Sequence, residues 1–294
     1  MRNLPLPARH LVRSQLETGI ELYEWRGETH GYPATAHDLD AVIAVYDAYD
    51  AASGSAEDCL KGLHLDEALR DTINAAYDFT QAGRKLSKIR EGIMAGVEHC
   101  PICGISPPRQ LDHYLPKTTF KALAIYPRNL VPICGDCNQS KASSVSALPN
   151  EQFLHAYYDV VPEIRFLEAR PSTAQGLVVD FGIRAGGGLD PLLASRLSYQ
   201  LNRLRLNTRY AREINSYLTS HTTALHMCFQ FAGNEGVRSF LQTQSAVEFG
   251  RFHLNHWRPV LLEALGLDDQ FCGGGFASIL PAVAQPLGSV NPLT

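Results

Sequence analysis

The stretch RQLDHYLPK, residues 109–117, decides how this chain is read. It lies between two cysteine pairs, CPIC at 100–103 and CGDC at 134–137. A packed core has no use for an aspartate, a histidine and a lysine so close together, because each is costly to bury unless it is paired. The combination points to chemistry held in a cysteine frame. Each C-x2-C turn can aim two thiolates at one ion, and two such turns complete a tetrahedral four-sulfur site. Soft thiolates in a closed tetrahedron suit zinc, so Cys100, Cys103, Cys134 and Cys137 are expected to hold a structural zinc ion. A redox C-x2-C is the competing reading, but it comes as a single pair opening a helix after a strand, and here there are two pairs. The 30 residues between Cys103 and Cys134 exceed the gap of a simple zinc ribbon, so the two turns must clamp something between them.

Inside the gap, RQLDHYLP (109–116) and NLVPIC (129–134) predict two short strands. GDCNQSKASS (135–144) predicts a helix with Asp136 as its N-cap. Asn138 and Lys141 are three residues apart and so share a face of that helix. Asp112, His113, Asn129 and Asn138 are expected to converge on one pocket.

The segment CPIC…LDHYLPK…NLVPICGDCNQSK, residues 100–141, resembles the HNH nuclease family (ββα-metal fold) in its four-cysteine form. The resemblance implies a zinc-pinned, treble-clef-like core that hydrolyses DNA phosphodiester bonds and leaves 5′-phosphate and 3′-hydroxyl ends. It implies His113 as general base, Asn129 as the residue orienting that histidine, and Asp112 and Asn138 as ligands of a catalytic divalent ion. Asn138 stands where the family often has histidine. The chemistry is consistent with these roles. A water must be deprotonated near neutral pH, where histidine titrates, and a cation must meet the charge developing on the phosphate oxygens. Oxygen donors make a hard, open site, which suits Mg²⁺ or Mn²⁺ better than zinc. Lys117 and Lys141 are expected to hold flanking phosphates, and Tyr114 either stacks on a sugar or base or packs. The motif addresses a phosphodiester and says little about the 2′-hydroxyl, so RNA stays open as a substrate beside DNA. The alternative is a zinc-stabilised nucleic-acid- or protein-binding module without catalysis. It accounts for the cysteines and lysines but not for Asp112, His113, Asn129 and Asn138 occurring together.

The rest of the chain frames this segment. Its 294 residues, 45% hydrophobic and 19% charged, fit an ordinary globular protein. The net charge of −4 argues against a non-specific polyanion binder, but it is unevenly spread. Residues 1–99 carry 10 Lys+Arg against 16 Asp+Glu, residues 100–147 five against two, and residues 148–294 eleven against 12. The cysteine-framed segment is the basic island. Three regions are expected: a helical one over 1–98, the cysteine-framed core over 99–147, and a strand hairpin with helices over 148–294. The whole is expected to be α+β and mainly helical.

Helices are predicted at 36–52, 64–81 and 83–99, strands at 162–171 and 176–188, more than one helix over 190–231, two shorter helices near 235–266, and an irregular tail. Cys59, Cys228 and Cys272 are expected to be buried and inert, His99 to be an exposed spacer rather than a spare zinc ligand, and His155, His221, His226, His253 and His256, which match no ligand spacing, to be structural. Arg196, Arg203, Arg205, Arg209 and Arg212 lie along one helical stretch, where a solvated or ion-paired face competes with a duplex-gripping arm. No apolar run is long enough for a transmembrane helix, and the N-terminus lacks a signal-peptide core, so a cytoplasmic protein with no membrane partner is expected. The stretch at 255–276 resembles the C-terminal part of longer bacterial HNH proteins found beside ATPases in anti-phage defence operons. That would imply an ATPase or other regulatory partner.

Overall fold

Side chains that cap free backbone N–H groups mark where several helices begin in the computed structural model, which describes residues 3–142, 146–173 and 176–280. After α1 (Val12–Ile20), two three-residue strands, β1 (Tyr23–Trp25) and β2 (Glu28–His30), pair through a two-residue loop. Arg26 and Gly27 both take positive φ in that loop, as a hairpin turn matched to strand twist requires. α2 (Ala36–Ala51) starts with a capping box: Thr35 Oγ1 accepts from Asp38 N–H, and the Asp38 carboxylate accepts from Thr35 N–H. α3 (Glu67–Ala76) is capped by Asp66, which accepts from the N–H groups of Ala68 and Leu69. α4 (Ser87–Met94) leads to the cysteine frame.

Within the frame, β3 (Gln110–His113) and β4 (Leu130–Ile133) pair antiparallel, with Asp112 opposite Val131 and His113 opposite Leu130. α5 (Gly135–Lys141) follows. Its N-cap is Cys134 rather than Asp136. The cap lies two residues earlier than expected, and Asp136 falls in the helix's first turn, where a negative charge complements the helix dipole. The expected end of this helix, and the expected irregular tail from 281 on, lie outside the described residues.

The chain divides into two compact units, Met1–Val161 and Pro162–Thr294. One core runs through the first: Leu16 of α1, Val42 and Tyr46 of α2, Leu69 and Ile73 of α3 and Ile89 of α4 pack in the same cluster as Leu111, Leu123, Tyr126 and Leu130. Residues on either side of 98 therefore share a core, because the helices supply the apolar surface that a short hairpin and one helix cannot bury alone.

In the second unit, β5 (Leu167–Ser172) and β6 (Val178–Ile183) pair antiparallel. α6 (Pro191–Arg203), α7 (Leu206–Thr219), α8 (Thr222–Arg251) and α9 (Trp257–Leu267) follow. α8 is interrupted at Gly233, whose φ and ψ are not helical, so it comprises two helical segments; the one after Gly233 and α9 correspond to the two shorter helices expected near 235–266. The described chain is thus α+β and mainly helical. Among the described residues, no helix is long and apolar enough to cross a membrane. Cys272 is buried as expected, but Cys59 is exposed and Cys228 half-buried. Cys59 sits in a short turn with its thiol toward the Glu57 carboxylate, outside the core.

One histidine of this unit carries a testable strain. His221 packs edge-on against Tyr217 and Phe240, with Nε2 buried and unpartnered among the described residues. Burial lowers its pKa below the usual 6.5. A depressed folded-state pKa means the unfolded chain binds the proton first, so stability falls as pH drops through and below the ordinary histidine range. His221→Phe is expected to stabilise by about 1 kcal/mol at pH 7 and to widen its margin over wild type toward pH 5. Urea midpoints at the two pH values measure this; a margin that does not grow in acid would sink it.

Candidate metal centre and active site

Four sulfurs meet because two turns close on one another. Cys100 and Gly104 are tied by a backbone hydrogen bond of 2.8 Å, and Cys134 caps α5, whose first turn carries Cys137. All four thiols are buried, and their sulfurs lie within 4.8 Å of one another. A tetrahedral ion bound at about 2.3 Å per sulfur sets its sulfurs about 3.8 Å apart. Cys103 Sγ and Cys134 Sγ are separated by 3.7 Å. Hydrogen bonds among the sulfurs split their acidities: Cys103 is lowered to about 7 and Cys134 is lowered too, while Cys100 and Cys137 are raised. Such a cluster could hold a soft divalent metal such as zinc.

β3 leads from this frame to His113, which is 8% exposed. Its Nε2 lies 2.8 Å from the carbonyl oxygen of Ala124. A carbonyl can only accept, so Nε2 carries the proton and Nδ1 is left with the lone pair. Burial is the main cause lowering the His113 pKa to about 4; Lys117 and Lys141 add to it, while the Ala124 hydrogen bond opposes it. The ring is therefore neutral at pH 7. Tyr77, from the turn after α3, packs against it at 4.4 Å between ring centroids and donates its hydroxyl to Leu111 O at 2.6 Å. The Lys117 ammonium lies 4.7 Å over the Tyr77 ring.

Asn129 is fully buried and acts on the loop between the strands. Its Oδ1 accepts from Leu115 N–H at 2.8 Å, and its Nδ2 donates to the carbonyls of Leu115 and Leu123 at 3.1 and 3.3 Å. It thereby fixes the segment whose next residue, Ala124, holds His113. Asn129 is itself held from outside the motif. His155 Nδ1 accepts from Tyr157 N–H, so the neutral ring donates from Nε2 to Tyr49 Oη at 2.8 Å, and Tyr49 Oη lies 3.2 Å from Asn129 Oδ1. Gly54 makes room for this ring: a Cβ there would lie 2.6 Å from His155 Cδ2.

Helix α5 meets alternate residues of β3. Asn138 Nδ2 donates to Gln110 Oε1 at 2.8 Å, and Lys141 Nζ pairs with Asp112 Oδ2 at 2.8 Å. Lys141 also donates to His113 O at 3.0 Å. Asp112 is largely buried, and desolvation raises its pKa while Lys141 opposes the rise. Lys141 was expected to reach a phosphate. It is instead buried and committed to Asp112, because an unpaired carboxylate in that position would be costly. Tyr114 donates its hydroxyl to Phe153 O at 3.0 Å and lies against His155, which is the packing role.

Asp112, His113 and Lys141 thus form one connected group, Gln110 of β3 and Asn138 of α5 adjoin it, and Asn129 connects to His113 through the loop. In the sequence Tyr77 belongs to a packing stripe, His155 reads as structural and Tyr49 is not singled out, and no local spacing marks the three as partners of the motif.

No family model matches the chain, and no solved structure matches it. Protein ea31 of Escherichia phage lambda is 25% identical to it over 199 residues, which take in 62% of this chain and 66% of the phage protein. The match therefore spans just under two thirds of that protein's length.

Proposed function

We propose that the first unit is a metal-dependent endonuclease of the HNH class that hydrolyses DNA phosphodiester bonds with His113 as general base. The observation that carries the reading is the His113–Ala124 hydrogen bond. It fixes the proton on Nε2 and leaves Nδ1 able to take a proton from water, while burial keeps the ring neutral. Asn129 is a positioning residue, acting through the loop that carries Ala124. Zinc at the four cysteines pins the strand–strand–helix unit. Asp112 and Asn138, on facing elements, offer the oxygens that would hold Mg²⁺ or Mn²⁺. When bound, that ion supplies positive charge for the developing phosphate oxyanion and the leaving oxygen. Lys117, poised over Tyr77, is the flanking phosphate contact.

The test is cleavage of supercoiled plasmid by zinc-loaded protein with Mg²⁺, Mn²⁺ or neither. His113→Ala is expected to lower the rate by about 10²–10⁴-fold while the protein stays folded and keeps its zinc. Cleavage that survives the substitution removes His113 as base. A wild-type protein that binds zinc and DNA but cuts nothing with either ion favours the non-catalytic binding module.

A further inference from the structure

We propose that the outward face of α6 and α7 binds the phosphate backbone of duplex DNA, a gripping surface carried by the second unit. The inference takes its ligand class from the nuclease reading above, but its own test needs no catalysis.

The first observation is charge. From Pro191 to Arg212 the chain has five arginines, no lysine and no acid, within a protein of net charge −4. The second is placement. On α7 the buried residues Leu206, Tyr210, Ile214 and Leu218 recur every fourth position. Arg209 and Arg212, three apart, fall on the side of the helix away from that stripe, and Arg205 stands just before its first turn. On α6 the buried Ala194, Leu197 and Leu201 define the inner stripe, and Arg196 and Arg203, seven apart, share an outer line. Arg203, Arg205 and Arg212 are exposed, and among the described residues no ion pair engages them. Several other arginines of the unit are matched to acids, Arg165 with Glu263, Arg170 and Arg184 with Glu168, and Arg238 with Asp269, while Arg251 and Arg258 lie over aromatic rings.

The third observation is backbone conformation. The elbow between α6 and α7 places Arg205 at φ 50°, ψ 45°, a left-handed geometry that glycine adopts most easily. The elbow is also held in place, since Asn207 Oδ1 accepts from Phe181 N–H and Asn207 Nδ2 donates to Phe181 O and Asp180. The ligand follows from these facts. Guanidinium forks pair with phosphate oxygens through two hydrogen bonds, which explains arginine to the exclusion of lysine. Residues three or four apart on a helix lie about 5–6 Å from one another, so the face offers repeated cations to a ligand with repeated anions. Duplex DNA carries about one charge per 1.7 Å of its axis.

The test uses the full-length His113→Ala chain, zinc-loaded and without added Mg²⁺, so that the probe is not cut. Binding to a short labelled DNA duplex is followed by fluorescence anisotropy across a salt series. Replacing Arg203, Arg205 and Arg212 together by glutamine is expected to weaken binding by at least about tenfold at low salt. The slope of log K against log salt is expected to become shallower by about 2.7, which is about 0.9 for each lost phosphate contact. The matching lysine triple variant, with charge kept, is expected to retain the slope. An unchanged affinity and slope in the glutamine variant would overturn the proposal, as would an equal loss in the lysine variant. The outcomes separate cleanly from those of the cleavage test. Flat binding curves leave His113-dependent cutting standing, and failed cutting leaves these curves untouched.

Discussion

Replacing Cys134 by serine is expected to release the metal from the first unit and to lower its stability by several kcal/mol. Four buried sulfurs within 4.8 Å of one another are a poor arrangement without a cation. Thiolates at that spacing repel one another, and a bound cation turns that repulsion into attraction. Structural zinc in isolated fingers contributes about 10–16 kcal/mol. Here the loss is expected to be smaller, because the hairpin residues Leu111 and Leu130 belong to a core that α1–α4 also build. The measurement is metal content by mass spectrometry together with a thermal melt of wild type, Cys134→Ser and chelator-treated wild type. Zinc-free wild-type protein melting at the same temperature as the loaded form would remove the metal from the account of the fold.

The second large effect lies at Lys141. Its ammonium and the Asp112 carboxylate are 8% and 15% exposed and 2.8 Å apart. Removing one partner of such a pair leaves a buried charge, at a cost of about 3–5 kcal/mol, whereas removing both charges together is far milder. Lys141→Met is therefore expected to lower the urea midpoint sharply, and Asp112→Asn combined with Lys141→Met to recover most of it. If Asp112 is a ligand of the catalytic ion, Mg²⁺ supplies the missing positive charge. It should then stabilise Lys141→Met more than it stabilises wild type, and should do little for the double variant. Equal responses to Mg²⁺ in all three proteins would argue against Asp112 as a ligand. Equal stabilities in its absence would argue that the pair is solvated.

Local patterns carried much of this structure. The cysteine pairs announced a four-sulfur cluster, and the apolar runs around Asp112 and Val131 became β3 and β4, a little shorter at each end than expected. Helical periodicity located α2, α3, α6 and α7. Lys141 shows where such patterns stop. Its spacing from Asn138 put both on one helix face, yet whether its charge met solvent or a carboxylate depended on how α5 packs against β3. Tyr77 follows Leu65, Leu69 and Ile73 at steps of four as the fourth member of an apolar stripe, and only the packing of its turn against the hairpin brings its ring to His113. Tyr49 and His155 are 80 and 26 positions from Asn129 in the chain, beyond the reach of any periodicity. The β1–β2 hairpin went unread because its strands have three residues each and its turn is Arg-Gly instead of the stronger Asn-Gly signal.

The hydrogen-bonded chain from His155 through Tyr49 to Asn129 has a practical consequence for anyone wishing to borrow this chemistry. A fragment cut at the cysteine frame, residues 99–147, would carry every residue of the recognisable motif. It would also leave Asn129 without two of the side chains that hold it and His113 without the Tyr77 ring. The smallest piece worth grafting onto another scaffold is therefore the entire first unit through Val161. A chimaera built from the motif alone would need a substitute clamp designed for it.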